Sequence, residues 1–337
     1  LGKLTLDDLF DPKYRVKQLN LLIDGDVYAH KASSVTDGRM YEVGKSIFKY
    51  KKDADKYVSE NGGTIEVTYQ PEPFKHCTRT LRAMFEAIES ALEHKTDSLV
   101  SKYYLTGSLN FRSDILEHYK WNRLGVDEVI KRCNGDEEKA RAILKMKPAT
   151  FEKQKGVVPR RPFHLKRTKE YISERLGATQ VDYLEADDLI GIEADRLRRL
   201  GEDFVIVSTD KDLNCIPGWH YNSDRDEIYH VSESEAMYNF YYQCLLGDKT
   251  DNIPGIPGVG EAKATAVLKG IEGSSEEDYY RAVLDRWTVA YGDDAPSVML
   301  KSAQCLWILQ DSSSKPIVEK TWQPPEMSKI DKTEEVK

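Results

Sequence analysis

No apolar run in the 337 residues approaches the roughly 20 needed to cross a bilayer. Residues 1–20 mix charges and lack the apolar stretch of a secretion signal. A membrane partner is therefore not expected, and the cytoplasm (bacterial, or that of a phage-infected host) is the expected location. Cysteine is sparse: Cys77, Cys133, Cys215, Cys244 and Cys305 are widely spaced and form no Cys-x-x-Cys pair. That argues against a zinc knuckle or a disulfide framework and for a reducing compartment. His-Glu-x-x-His and Gly-x-Ser-x-Gly are both missing, so zinc-protease and serine-hydrolase chemistry have no carrier. Gly247-Asp248-Lys249-Thr250 resembles the end of a phosphate loop, but aspartate stands where glycine must precede the lysine. Nothing calls for a small organic cofactor.

What is present is ordinary for a globular chain: 40% hydrophobic and 31% charged residues. The net charge of −8 argues at first against a nucleic-acid partner. Local potential matters more than the total, and the charges are segregated. Between residues 145 and 170 nine Lys and Arg face two Glu, a net +7 in an acidic chain. A solvated face is the bland reading, but the sign asymmetry favours a surface that tracks phosphates.

Short apolar runs at 19–23, 103–105 and 204–207 read as buried strands. The first is expected to end in a turn at Asp24-Gly25-Asp26. Leu81, Phe85, Ile88 and Leu92 share a helical face, as do Leu189, Ala194, Leu197 and Leu200, with Gly201 closing the second helix. Strands alternating with helices predict an α/β fold with a mostly parallel central sheet flanked by helices. Ligands of such sheets bind at the carboxyl ends of the strands. Residues 37–76 read as an insertion and 313–337 as a loose polar tail.

Carboxylates gather at those strand ends. Asp24 ends the first strand, Glu185, Asp187 and Asp188 open a helix, and Asp210 and Asp212 follow the 204–207 strand. Asp248 and Asp251 share a face if their turn is helical. Singly, such residues cap helices. Together they need cations, and oxygen ligands suit Mg²⁺ or Mn²⁺. Two such ions can clamp the attacking and leaving oxygens of a phosphodiester. Downstream, GDKTDNIPGIPGVGEAKATAVL (247–268) packs Pro254, Gly255, Pro257, Gly258 and Gly260 before a helix starting near Glu261. Glycines and a helix N-terminus allow close approach of a phosphate, with Lys263 and Lys269 adding charge.

These pieces carry a resemblance. LLIDGD (21–26), NFR…YKWNR (110–123), EADDLIG (185–191), VIVSTDKDL (205–213) and LLGDKTDNIPGIPGVGEAKA (245–264) occur in that order. They resemble the flap endonuclease/5′→3′ exonuclease family, with the phage-encoded exonucleases looking nearest. The resemblance implies a nuclease core over 1–236, with a basic helical clamp or arch at 124–168. It implies a helix-two-turn-helix DNA-binding module over 237–312. It places Asp24, Glu185, Asp187 and Asp210 at a first metal, and Asp212, Asp248 and Asp251 at a second, with Asp210 open to being shared; Asp188 is a further candidate ligand. Lys120 and Arg123 match residues that contact the scissile phosphate, and, with Asp24 and Asp210, form the expected catalytic set. The expected DNA contacts are His30 (stacking), Lys31, Arg112, Arg160, Arg161, Gly258, Val259, Gly260 and Lys263, with a K⁺ on the hairpin carbonyls. The implied activity is structure-selective 5′-nuclease cleavage, in phage DNA replication or degradation or in primer removal. Its substrate is duplex DNA with a 5′ end, nick, gap or flap, or an RNA–DNA hybrid. One departure stands out: relatives place an aspartate at the end of the second strand, where this chain has Thr106-Gly107. Asp26 or a bound water is the expected substitute. The same gap motivates the alternative of a DNA-binding accessory protein with a degenerate metal site.

Overall fold

The computed structural model describes residues 16–325. Readings made for 1–15 and 326–337, including the end of the polar tail, lie outside the described residues. In chain order, β1 (Leu19–Asp24) passes into α1 (Gly25–Val35), and β2 (Arg39–Val43), β3 (Ser46–Phe48), α2 (Lys51–Asn61) and β4 (Glu66–Tyr69) follow. Next come α3 (Phe74–Leu92), β5 (Leu99–Thr106), α4 (Val126–Arg132), α5 (Glu137–Ile143) and α6 (Pro148–Gln154). The chain continues through α7 (Leu165–Leu176), β6 (Thr179–Val181), α8 (Ala186–Leu200), β7 (Asp203–Val207), β8 (Gly218–Asn222) and β9 (Glu227–Val231). Then come α9 (Glu233–Leu246), α10 (Glu261–Leu268), α11 (Glu276–Tyr291) and α12 (Ala295–Leu306), and a last helical turn at Ile317–Lys320. No helix among the described residues is long and apolar enough to cross a membrane.

Two compact units form, neither continuous in sequence. The first takes the chain up to Ser108, Arg160–Asp210 and His220–Tyr229; the second takes Leu109–Pro159, Lys211–Trp219 and the chain from His230. This division cuts across the boundary that the sequence suggested near residue 236.

The first unit is built on a six-stranded sheet of order β6-β5-β1-β7-β8-β9. β1 pairs in parallel with both β5 and β7, and β5 with β6. This is the mostly parallel α/β sheet that the alternating pattern predicts. Every residue of β1 is buried, as expected for a central parallel strand covered on both faces. α8 packs on β1, β5 and β7, while α1 packs on α3, α7 and β5. The apolar stripe of α3 is fully accounted for, since Leu81, Phe85, Ile88 and Leu92 are buried. Leu200 departs from expectation: it is 59% exposed in the last turn of α8, one residue before Gly201 reverses the chain at φ +68°. Residues 37–76, which the sequence reads as an insertion, form a small antiparallel sheet of order β3-β2-β4 carrying α2.

The expected turn at Asp24-Gly25-Asp26 is instead the start of α1. Gly25 explains the difference. A Cβ there would lie 2.7 Å from the Tyr104 carbonyl oxygen, so only glycine lets the chain pass from strand to helix against β5.

The second unit is helical. Its larger core gathers Phe240, Tyr241, Tyr279, Trp287 and Trp322 from α9, α11 and the segment after α12. The Trp287 indole N–H donates to the Cys244 carbonyl at 3.2 Å, so the ring is buried with its polar edge satisfied. A smaller core around Trp121, Val129, Cys133, Ala140 and Phe151 holds α4, α5 and α6 together. All five cysteines are buried free thiols.

Candidate active site

In the first unit, three strand ends or helix starts deliver carboxylates to one place. Asp24 is the N-cap of α1: its Oδ1 accepts the amides of Asp26 (3.1 Å) and Val27 (3.2 Å). Its Oδ2 accepts the Ser208 hydroxyl at 2.9 Å, and the same Ser208 oxygen accepts the Asp210 amide at 3.1 Å. The residue after β7 thus ties Asp24 to the Asp210 backbone. Glu185 and Asp188 form a capping box on α8, with Asp188 Oδ2 accepting the Glu185 amide at 3.1 Å. Asp24, Glu185 and Asp188 are buried, whereas Asp210 is exposed.

The electrostatics show how close these groups lie. Burial, followed by the charges of Asp26 and Asp210, pushes the Asp24 carboxyl up to about 7, outweighing the stabilising Val27 amide and Ser208 hydroxyl. Burial raises Asp187 well above the usual carboxylate range, and the charges of Asp24, Glu185, Asp210 and Asp188 raise it further. Each carboxylate opposes the ionisation of its neighbours. That tension is relieved by protonation or by a cation. Among the described residues, no three His, Cys, Asp or Glu side chains form a ready-made coordination cage. The donor set is nevertheless that of a hard divalent ion: carboxylate oxygens, partly desolvated, with excess negative charge.

Asp26 sits where the sequence resemblance lacks a carboxylate. Its Oδ2 accepts the Thr106 amide, at the end of β5, at 3.4 Å. Its Oδ1 lies 2.8 Å from Lys169 Nζ of α7. Thr106 itself is engaged, its Oγ1 accepting the Ala186 amide at 3.1 Å at the start of α8. Sequence reasoning gave no role to Ser208 or Thr106, and counted Lys169 only as part of the basic 145–170 segment. Ser208 was within reach, standing between a buried strand and Asp210. The Lys169–Asp26 pair spans the chain and left no local signal.

The second unit collects other expected residues. Lys120 precedes and Arg123 ends a short 3₁₀ turn, and Lys120 adopts a left-handed backbone (φ +59°) that non-glycine residues seldom hold without a reason. Arg123 donates to Asp251 Oδ1, Lys120 Nζ lies 3.5 Å from Asp251 Oδ2, and the Tyr119 hydroxyl donates to Oδ2 at 3.1 Å. The Lys120 amide also donates to the Asp251 carbonyl at 2.8 Å. The 248–251 turn is not helical, contrary to the condition for a shared face. It is a tight loop closed by mutual backbone bonds between Asp248 and Ile253, with Asp248 Oδ1 accepting the Thr250 amide at 2.7 Å. Asp212 accepts the Gln243 amide nitrogen at 2.9 Å. The loop before α10 exposes Gly258 and Gly260, where an added Cβ would meet nothing within 4 Å. Val259 is half-buried against the larger core. The Gly258 carbonyl accepts Lys263 Nζ at 2.8 Å.

The remaining expected DNA contacts divide. His30 and Arg161 are exposed. Lys31 pairs with Asp224 at 2.6 Å. Arg112 does not reach the surface: it is 2% exposed, and its guanidinium donates to the Cys305 carbonyl at 2.8 Å and to the Trp307 carbonyl at 2.7 Å. Its role is to satisfy backbone around the end of α12. Arg160 is committed to Asp37, donating through both terminal nitrogens while lying 3.3 Å from the Tyr69 ring centroid.

Known proteins resemble parts of the chain. No family model matches. DNA polymerase I of Pseudomonas aeruginosa is 36% identical over 117 residues, 32% of this chain and 12% of that protein. The "5′-3′ exonuclease" of Buchnera aphidicola is 34% identical over 109 residues, 29% of this chain and 38% of the relative. "Flap endonuclease Xni" of Shewanella sediminis is 34% identical over 114 residues, 30% of this chain and 43% of the relative. The matched stretches therefore span less than half of each relative's length. A solved structure of the bacteriophage T5 D15 flap endonuclease aligns over 86% of this chain and 99% of its own, at 15% identity and a TM-score of 0.43. In sequence, about a third of the chain is thus similar to a named 5′-3′ exonuclease and a named flap endonuclease.

Proposed function

We propose that the protein is a structure-selective 5′-nuclease that hydrolyses phosphodiester bonds in DNA with two divalent ions. The observation that carries this reading is the set of buried, mutually repelling carboxylates at the strand ends of the first unit. Such a group is costly to keep without cations and has the donor chemistry to hold them. When bound, Mg²⁺ or Mn²⁺ would neutralise this charge and activate water at neutral pH. Asp24, Glu185, Asp187, Asp188 and Asp210 would hold the first ion, with Asp26 in place of the carboxylate missing at the end of β5. Asp212, Asp248 and Asp251 are assigned to the second.

The other residues would bind and orient the strand. Lys120 and Arg123, held in place by Asp251, present positive charge for the scissile phosphate. The open glycine loop before α10, with Lys263, suits a duplex backbone approaching exposed amides, and a K⁺ on its carbonyls fits the same role. Exposed His30 suits stacking on a terminal base. Duplexes with a 5′ end, nick, gap or flap are the proposed substrates, with replication or primer removal, in a phage-infected or bacterial cytoplasm, as the setting.

A digest of 5′-labelled blunt, nicked, gapped and flap duplexes, with and without Mg²⁺, tests the reading. Cleavage is expected only with metal, and Asp210→Asn should abolish it while sparing DNA binding. Wild-type cleavage by that variant would refute the site assignment. The carboxylate missing at Thr106-Gly107 motivates one alternative, an accessory protein that binds DNA without cutting it. Binding with no cleavage of any of the four substrates would select it.

A further inference from the structure

The 37–76 insertion carries a feature that the nuclease site does not use. Residues 45–52 read KSIFKYKK, with four lysines and no acid. β3 alternates, so Ile47 faces solvent at 55% exposure, with exposed Lys45 and Lys49 two residues to either side of it. Tyr50 follows, also 55% exposed, as the N-cap of α2. Its side chain makes no capping bond, so the first amides of α2 have no side-chain acceptor from the cap. Lys51 and Lys52 then occupy the first turn of that helix together with Asp53, at the end where the dipole disfavours cations. Lys51 is neutralised by Asp55 at 2.9 Å, whereas Lys45, Lys49 and Lys52 have no acidic partner among the described residues. Lys49 and Lys52 hold their ammonium groups 5.9 and 5.8 Å from the Tyr50 ring centroid.

Lysines on an edge strand also discourage edge-to-edge pairing. That accounts for Lys45 and Lys49. It does not account for an exposed aromatic ring, or for cations placed at the wrong end of a helix. An aromatic ring flanked by ammonium groups matches a nucleotide: a base face for the ring and phosphates for the charges. The insertion also starts at the far end of α1, whose first residue follows Asp24. Eleven helical residues span about 16 Å, so the segment begins about that far along the helix from Asp24.

We propose that Lys45, Lys49, Tyr50 and Lys52 form a binding surface for an unpaired DNA strand, separate from the carboxylate cluster. The choice of DNA as ligand rests on the nuclease reading; the surface itself rests on the insertion.

The test measures binding of a fluorescein-labelled single-stranded 20-mer and a blunt duplex of equal length, with Ca²⁺ replacing Mg²⁺, across a salt series. In K45Q/K49Q/K52Q the single-strand affinity should fall on the order of tenfold, and the slope of log K against log salt should shrink by about 2. Y50L should weaken the single strand by at least about fivefold and leave the blunt duplex nearly unchanged. K45R/K49R/K52R should restore the wild-type slope, which a folding defect would not allow. Unchanged affinity and slope in the glutamine variant would overturn the proposal and leave an acidic protein segment as the occupant to consider. Mg²⁺-dependent cleavage by the same preparations is a separate readout: its absence sinks the nuclease reading, whereas only the salt slope and the Tyr50 effect decide the surface.

Discussion

At the scale of single residues, the structure separates charges that hold the fold from charges that are free to act. Asp37 belongs to the first kind. It is 5% exposed and accepts both Arg160 nitrogens and the Phe163 amide, the last at 2.9 Å. Burial pushes its carboxyl up, but the Arg160 bond, the Phe163 amide and the Arg160 charge outweigh it and hold the group below its ordinary value. A carboxyl depressed in the folded state stabilises fully above its unfolded pKa, and loses that contribution as pH falls through the folded value. Asp37→Asn should cost about 2 kcal/mol at pH 7, read from urea unfolding, and the gap to wild type should narrow under acid. A gap that is constant with pH would show that the ion pair contributes nothing. Asp26 is held less firmly, by the Thr106 amide at 3.4 Å and by Lys169 at 2.8 Å. Asp26→Asn should weaken Mg²⁺ affinity about tenfold to a hundredfold and lower turnover with it, while melting stays near wild type. Near-normal turnover would rule Asp26 out as a ligand.

At the scale of elements, local pattern was legible and long-range pairing was not. β1, β5 and β7 announced themselves as apolar runs, and α3 as a 3.6-residue stripe, because burial of one face writes itself into neighbouring positions. The carboxylates were legible because each stands where a buried strand stops or a helix begins. Arg112 was misread because its partners lie 193 and 195 residues away, and no local spacing distinguishes a buried arginine from a phosphate-binding one. Arg160, expected to contact DNA, was misread for the same reason, since Asp37 is 123 residues distant. Glycine shows the contrast within one residue type. Gly25 is fixed by packing: Gly25→Ala would drive a methyl group to 2.7 Å from the Tyr104 carbonyl. The strand-to-helix junction would have to shift, costing about 1–3 kcal/mol by denaturant titration and disturbing Asp24 with it. Gly260 has open space around it, so Gly260→Ala should leave stability within about 0.5 kcal/mol. If the loop grips duplex DNA, the same methyl group should weaken duplex binding. Equal effects of the two substitutions on stability would contradict this account of where glycine is required.

At the scale of the whole molecule, an acidic chain has kept its repulsion local. The net charge of −8 coexists with lysine-rich surfaces, and the sharpest conflict is confined to the carboxylates around Asp24 and Asp187. Those groups make the stability of the whole fold depend on pH in the opposite sense from Asp37. A carboxyl raised to about 7 in the folded state binds its proton more tightly than the unfolded chain does. Its contribution is complete below the unfolded pKa and is lost as pH rises through the folded value. Without metal, the melting temperature should therefore decline between roughly pH 5 and pH 8, the window set by these raised groups. A divalent ion bound by the native state alone would oppose the decline, and its effect should grow with pH as the ligands lose their protons. Saturating Mg²⁺ or Mn²⁺ should thus raise the melting temperature most at pH 8 and least at pH 5, and Asp24→Asn should flatten the metal-free slope. A melting temperature that ignores both pH and metal across this range would mean that the cluster is not a cation site, whatever the protein does to DNA.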